Sequence, residues 1–154
     1  MPFELRSPAI NGREPIPQLY TGDGADLSPP LEWSEPPPET RSLALIVEDP
    51  DAPSGMFRHW GVYNIDAGER RLPEGAGDAE SGERLNATVN DFGEPGYGGP
   101  MPPRGHGTHH YHFKLVALDV DKLDLPSSAH VADIWKAARG HIVGQTELVA
   151  TYAR

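Results

Sequence analysis

Apolar positions along this chain come in short runs broken by glycine and proline, mostly at the spacing of strands. Residues 43–47 (LALIV) form one continuous apolar run that ends at Asp49-Pro50. That is the length and composition of a strand buried on both faces, so 41–48 is read as a central strand. HWGVYNI (59–65) predicts a second strand. In HHYHFKLVAL (109–118), His109, Tyr111, Phe113, Leu115 and Ala117 share one face while His110, His112 and Lys114 start the other, and the first face is the buried one. Val131, Ile134, Trp135 and Ala138 recur at i, i+3, i+4 and i+7. With Ser127-Ser128 read as the N-cap and Gly140 as the stop, they predict one short amphipathic helix. Residues 147–152 predict a closing strand.

The connecting segments are equally informative. LSPPLEWSEPPPET (27–40) is proline-rich but carries Leu31 and Trp33, large groups that anchor an extended stretch, so it reads as ordered edge structure and not as a tether. Residues 66–86 are polar and glycine-rich, as expected of a surface excursion, and 90–107 is a long Gly/Pro loop. No internal repeat or long linker divides the chain, and one domain spanning 1–154 is expected. Several strands, one helix and no βαβ alternation predict a mainly β fold with minor α, built on an antiparallel or mixed sheet.

Composition narrows the partners. The chain has 17 glycines and 17 prolines, yet large apolar residues recur from end to end, which favours an ordered, loop-rich β protein over a disordered one. Thirteen Lys and Arg against 23 Asp and Glu give a net charge of -10, which repels phosphate backbones and anionic lipid surfaces, so nucleic acid is not an expected partner. With no cysteine, disulfides, thiol catalysis and thiolate metal sites are excluded. The first residues lack the apolar core of a signal peptide, and no stretch approaches the roughly 20 apolar residues of a membrane span, so the default expectation is a soluble cytoplasmic protein.

Four features carry candidate chemistry. DPDAP (49–53) sits where a buried strand must turn; its Asp-Pro pairs read as turn formers, or as a site in which Asp49 or Asp51 orients a histidine or accepts from a ligand. His59, at the start of a strand, is suited to donate to an anion or to satisfy a backbone carbonyl. GEPGYGGPMPPRGHG (93–107) holds six glycines and four prolines in 15 residues: either a stiff connection or a preformed nest whose backbone N–H groups point at an anion. It is no nucleotide P-loop, lacking the GK[ST] ending. His109 heads the buried face two residues from Tyr111, whereas His110 and His112 resemble an HxH zinc pair without a third ligand at informative spacing, so metal is disfavoured. No GxSxG elbow surrounds Ser28, Ser34 or Ser54, which leaves a hydrolase or lyase built on Asp49, His59 and His109 as the weakest reading.

In order, YTGDGADLSPPLEW, SLALIVEDPDAPSG, HWGVYNI, NDFGEPGYGGPMPPRGHGTHHYHFKLVAL and GHIVGQTELVATY resemble the phosphatidylethanolamine-binding proteins of bacteria and archaea, relatives of the Raf kinase inhibitor proteins, over nearly the whole chain. The resemblance implies a large central β-sheet with a smaller sheet on one side and helix on the other. It also implies a surface pocket for phosphate, acetate or phospholipid head groups. Carried over by position, the pocket residues are Asp49, Asp51, His59, Gly99, Pro100, Pro102, His109 and Tyr111. Bacterial relatives often have cysteine where this chain has Gly22 and Met101, and arginine where it has His110. The expected function is non-catalytic binding of a small anionic, phosphoethanolamine-like ligand without a cofactor: glycine-loop N–H groups, His59 and His109 donate, Asp49 orients a histidine, and Tyr111 closes one wall. The alternative is inhibition of a kinase or protease at the pocket mouth. A homodimer is also within the family's range.

Overall fold

A computed structural model describes residues 2–77 and 86–154. The apolar run becomes β3 (Ser42–Asp49), with every residue buried. It is flanked by β4 (Phe57–Asp66) and β7 (His109–Leu118), and β6 (Asn86–Ala87) and β8 (Ile142–Tyr152) complete an antiparallel five-stranded sheet in the order β6-β4-β3-β7-β8. A three-stranded sheet, β1 (Leu5–Arg6), β2 (Leu31–Trp33) and β5 (Arg71–Leu72), has β2 in the middle. The fold is mainly β with minor α.

Strand periodicity divides the core in two. Leu43, Leu45 and Val47 point with Trp60, Val62, Phe113 and Leu115 toward the small sheet's Leu5, Leu31 and Trp33. Ala44 and Ile46 point with Val116 and Leu118 toward the helix α1 (Val131–Ala138), which offers Val131, Ile134 and Ala138. Gly61 lets the helix approach β4: a β-carbon there would collide with Thr88 and press on Ile134 and Val131.

Several boundaries differ from the sequence reading. Ser127-Ser128 form a turn and do not cap the helix. Val89 N–H donates to Ala129 O (2.9 Å) and Val131 N–H to Val89 O (3.2 Å), which holds the intervening chain extended. The helix therefore starts at Val131, and Asp133 closes its first turn by accepting from His130 N–H at 2.9 Å. Gly140, at φ +83°, follows the helix end as expected. β2 is central in its sheet instead of an edge, since three residues between flanking prolines suffice to pair on both sides. β8 starts five residues before the expected 147, because it pairs with β7 from Leu118↔Ile142 to His109↔Tyr152. Of the excursion expected over 66–86, part forms β5 and the start of β6, and 78–85 lie outside the described residues.

Beneath the helix, buried Glu48 accepts from Trp135 Nε1 (2.9 Å) and pairs with Arg58 Nε (3.0 Å) and Lys114 Nζ (3.0 Å). Burial alone would raise its pKa, but the bonds from Trp135 and Lys114 and the Lys114 and Arg58 charges outweigh burial and hold it below the ordinary 4.5. A depressed folded-state carboxyl stabilises fully above its unfolded value and loses that contribution as pH falls through the folded one. Glu48→Gln should therefore be less stable than wild type at pH 7 by about 1–3 kcal/mol, with the gap closing below pH 4.5. Urea unfolding across that range checks it; a pH-independent gap contradicts it.

Candidate functional site

At one end of the large sheet, the face that elsewhere packs against the small sheet runs out of apolar residues and becomes polar. On β3 the alternation that turns Val47 to the core turns Asp49 the same way, while Glu48 goes to the helix side. On β7 it gives His109 and Tyr111. β4 would place His59 on the opposite face but for a β-bulge: Val47 pairs with Trp60 and Glu48 with Arg58, so His59 is an extra residue. The bulge brings His59 and Phe57 to the same side as Asp49 and sends Arg58 to Glu48. Asp49, His59, Phe57, His109 and Tyr111 then line an open cavity of about 200 Å³, with Phe92 and Met101 at its edge.

His109 is 2% exposed, and its Nδ1 lies 2.6 Å from Asp49 Oδ2. A carboxylate accepts, so this nitrogen carries a proton and the ring is fixed in orientation. Its Nε2 lies 2.6 Å from Nδ1 of His106, on the exposed turn before β7. His59 is clamped by Gly98, whose carbonyl accepts from His59 Nδ1 (2.7 Å) and whose N–H donates to His59 O (3.0 Å). Nε2 is therefore the nitrogen His59 has for the cavity. The ring is boxed by Phe57, Tyr111 and Phe92, at centroid distances of 4.8, 5.3 and 5.6 Å. Burial pushes its pKa below 6.5 despite the opposing Gly98 carbonyl and Asp49 charge, so the ring is neutral at pH 7 and its Nε2 accepts. The Tyr111 hydroxyl is buried and finds no hydrogen-bond partner among the described residues. Burial, then the nearby Asp49 charge, raises its pKa well above the usual phenol value, so it remains a donor.

Of the eight residues singled out in the sequence, the structure brings Asp49, His59, Pro102, His109 and Tyr111 to the cavity wall. Asp51 turns to the surface, where Oδ2 accepts from His110 N–H and lies 2.8 Å from His110 Nδ1; this bond, with the His110 charge, lowers its pKa. Gly99 faces a neighbouring cavity of about 300 Å³ that shares Phe92 and Met101. Pro100 holds the loop by accepting from Gly22 N–H at 3.0 Å.

The glycine loop is not the anion nest expected. Gly96, Gly98, Gly99 and Gly105 N–H groups donate to Thr88 O, His59 O, Asp26 Oδ1 and Arg154 O, so they hold the loop in place instead of facing a ligand. Nor does neutral His59 donate into the cavity, since its one N–H serves Gly98. The HxH residues are occupied separately, His110 by Asp51 and His112 by Glu147. Sequence reasoning missed His106, Phe57, Phe92 and Asn90. Buried Asn90 ties the turn beneath Phe92, donating to Gly96 O and accepting from Phe92 and Glu94 N–H. The Asn-Asp pair before Phe92 was the available turn signal.

Side chains from three neighbouring strands converge on one open cavity at the end of the large sheet of a mainly β protein. Over residues 6–153 the chain matches the model of the phosphatidylethanolamine-binding protein family, and it belongs to that family. It is 43% identical to a UPF0098 protein of Aquifex aeolicus over 99% of this chain and 89% of that protein. It is 38% identical to the putative lipoprotein LppC of Mycobacterium tuberculosis, over 98% of this chain and 72% of the relative. The crystal structure of YbcL of E. coli, described as a member of the mammalian PEBP family, superposes with a TM-score of 0.92 at 34% identity, covering 99% of this chain and 98% of that one.

Gly22 and Met101 meet in space here. A β-carbon on Gly22 would collide with the Met101 side chain, so the bare Gly22 makes room for Met101 at the cavity edge. For His59, ¹⁵N spectra of the imidazoles should show a neutral, Nδ1-protonated ring whose titration midpoint lies below pH 6.5. A midpoint at or above that value, or an Nε2-protonated tautomer, contradicts the assignment.

Proposed function

We propose that the cavity binds a small anion carrying at least one ionisable hydroxyl, such as a phosphomonoester or phosphate, without chemical turnover. The observation that carries this reading is that Tyr111, a residue of the cavity wall, has a buried hydroxyl with no hydrogen-bond partner among the described residues. A buried unmet donor costs about 1–3 kcal/mol, and a ligand oxygen removes that cost. Tyr111 and neutral His59 ask for complementary groups: an oxygen that accepts from Tyr111 and a P–OH that donates to His59 Nε2. Monoprotonated phosphate and a singly protonated phosphomonoester such as free phosphoethanolamine offer both; a phosphodiester head group and acetate offer only the acceptor. Asp49 acts through His109, whose ring it orients.

Phe92 and Met101 are 47% and 44% exposed and give the cavity an apolar rim. That rim favours a second reading, in which a kinase or protease covers the mouth and is inhibited. No helix among the described residues is long and apolar enough to cross a membrane. A cytoplasmic location belongs to this reading, and cell fractionation tests it, since one relative is named a putative lipoprotein.

Calorimetric titration of wild type, Tyr111→Phe and His109→Ala with phosphate and phosphoethanolamine tests the binding site. Tyr111→Phe keeps the packing and should weaken both ligands roughly ten- to hundredfold, the loss of one hydrogen bond to a charged group. Unchanged affinity in both variants removes the cavity from consideration.

A further inference from the structure

We propose that His106 is a built-in competitor of the anion: it occupies the otherwise free nitrogen of His109 and must be displaced before that nitrogen can hold a ligand. The inference rests on the anion reading of the cavity. His109 lines the cavity, its Nδ1 serves Asp49, and the only ring nitrogen left for a ligand is Nε2. In the structure that atom lies 2.6 Å from His106 Nδ1. Two ring nitrogens in contact share a single proton, because one must donate and the other accept. While the contact lasts, His109 cannot donate to anything else.

The turn that carries His106 is built to let go. Gly105 and Gly107 flank it at φ +75° and +98°, a region other residues rarely adopt, and a β-carbon on either would meet nothing within 4 Å. His106 itself is exposed. The turn is anchored through backbone and not through the imidazole: Gly105 N–H donates to Arg154 O and His106 N–H to Pro103 O, both at 3.1 Å. The ring can therefore leave His109 while the backbone stays, exchanging one neutral hydrogen bond for the ligand's charge-assisted one.

His106 is thus a positioning residue that sets the affinity threshold of the site: a ligand must outbid an imidazole that is always present. His106→Ala should bind phosphate about three- to tenfold more tightly than wild type, the worth of one neutral hydrogen bond no longer broken. His106→Asn places an amide donor where Nδ1 was and should return affinity close to wild type. Both are measured by calorimetry, with thermal melting to show that each variant is folded. In wild type, the ¹⁵N ring signals of His106 and His109 should move together as phosphate is added. Equal or weaker binding in His106→Ala, or a His106 ring indifferent to phosphate while His109 responds, overturns the proposal and leaves the anion site standing. Failure of wild type and both variants to bind phosphate overturns the anion reading, and this inference with it.

Discussion

The phase of three neighbouring strands is the constraint on which the site depends. Side chains alternate across a sheet with a period of two, so Asp49, His109 and Tyr111 share a face only because Val47 and Phe113 do. β4 reaches the same face by the extra residue at His59. Without it His59 would point toward the helix and Arg58 into the cavity, exchanging a neutral acceptor for a permanent cation and leaving Glu48 short of a partner. The bulge therefore sets both the electrostatics of the cavity and the neutralisation of Glu48 beneath the helix.

Adjacent carboxylates show how closely the two sides are coupled. Glu48 and Asp49 are consecutive and both buried, yet one is met by Arg58, Lys114 and Trp135 and the other by a histidine. The first arrangement is closed, every oxygen answered from within the fold. The second ends at an exposed imidazole and opens on a cavity whose Tyr111 hydroxyl is unmet. Burial cost is thus offset within the fold on the helix side and left unmet at the Tyr111 hydroxyl on the other.

Most of this architecture was readable from spacing. β3, β7 and the apolar face of α1 follow directly from period-2 and period-3.6 patterns, and the inward phase of His109 and Tyr111 follows from Phe113 and Leu115 beyond them. What could not be read depends on contacts distant in sequence. Two-residue strands such as β1 and β5 have no period, and the helix start was moved by the pairing of Val89 with residues 129–131. Composition marked the glycine loop as a place for N–H groups, but only the fold decides where they point, and four of them are taken by Thr88, His59, Asp26 and Arg154. The bulge had no sequence signal that distinguishes His59 from Trp60, and His106 looked like one more loop residue until the turn brought it onto His109.

In the proposed reading His59, His109 and Tyr111 make one cavity for a tetrahedral anion that carries an ionisable hydroxyl. A crystal structure of the protein grown with arsenate near neutral pH tests it directly, because arsenate keeps a hydroxyl for His59 and its arsenic is marked by anomalous scattering. The strongest arsenic peak should lie within hydrogen-bond reach of the Tyr111 hydroxyl, between the two imidazoles. A cavity without a peak at saturating arsenate, with the anion found only beside surface arginines, would contradict it.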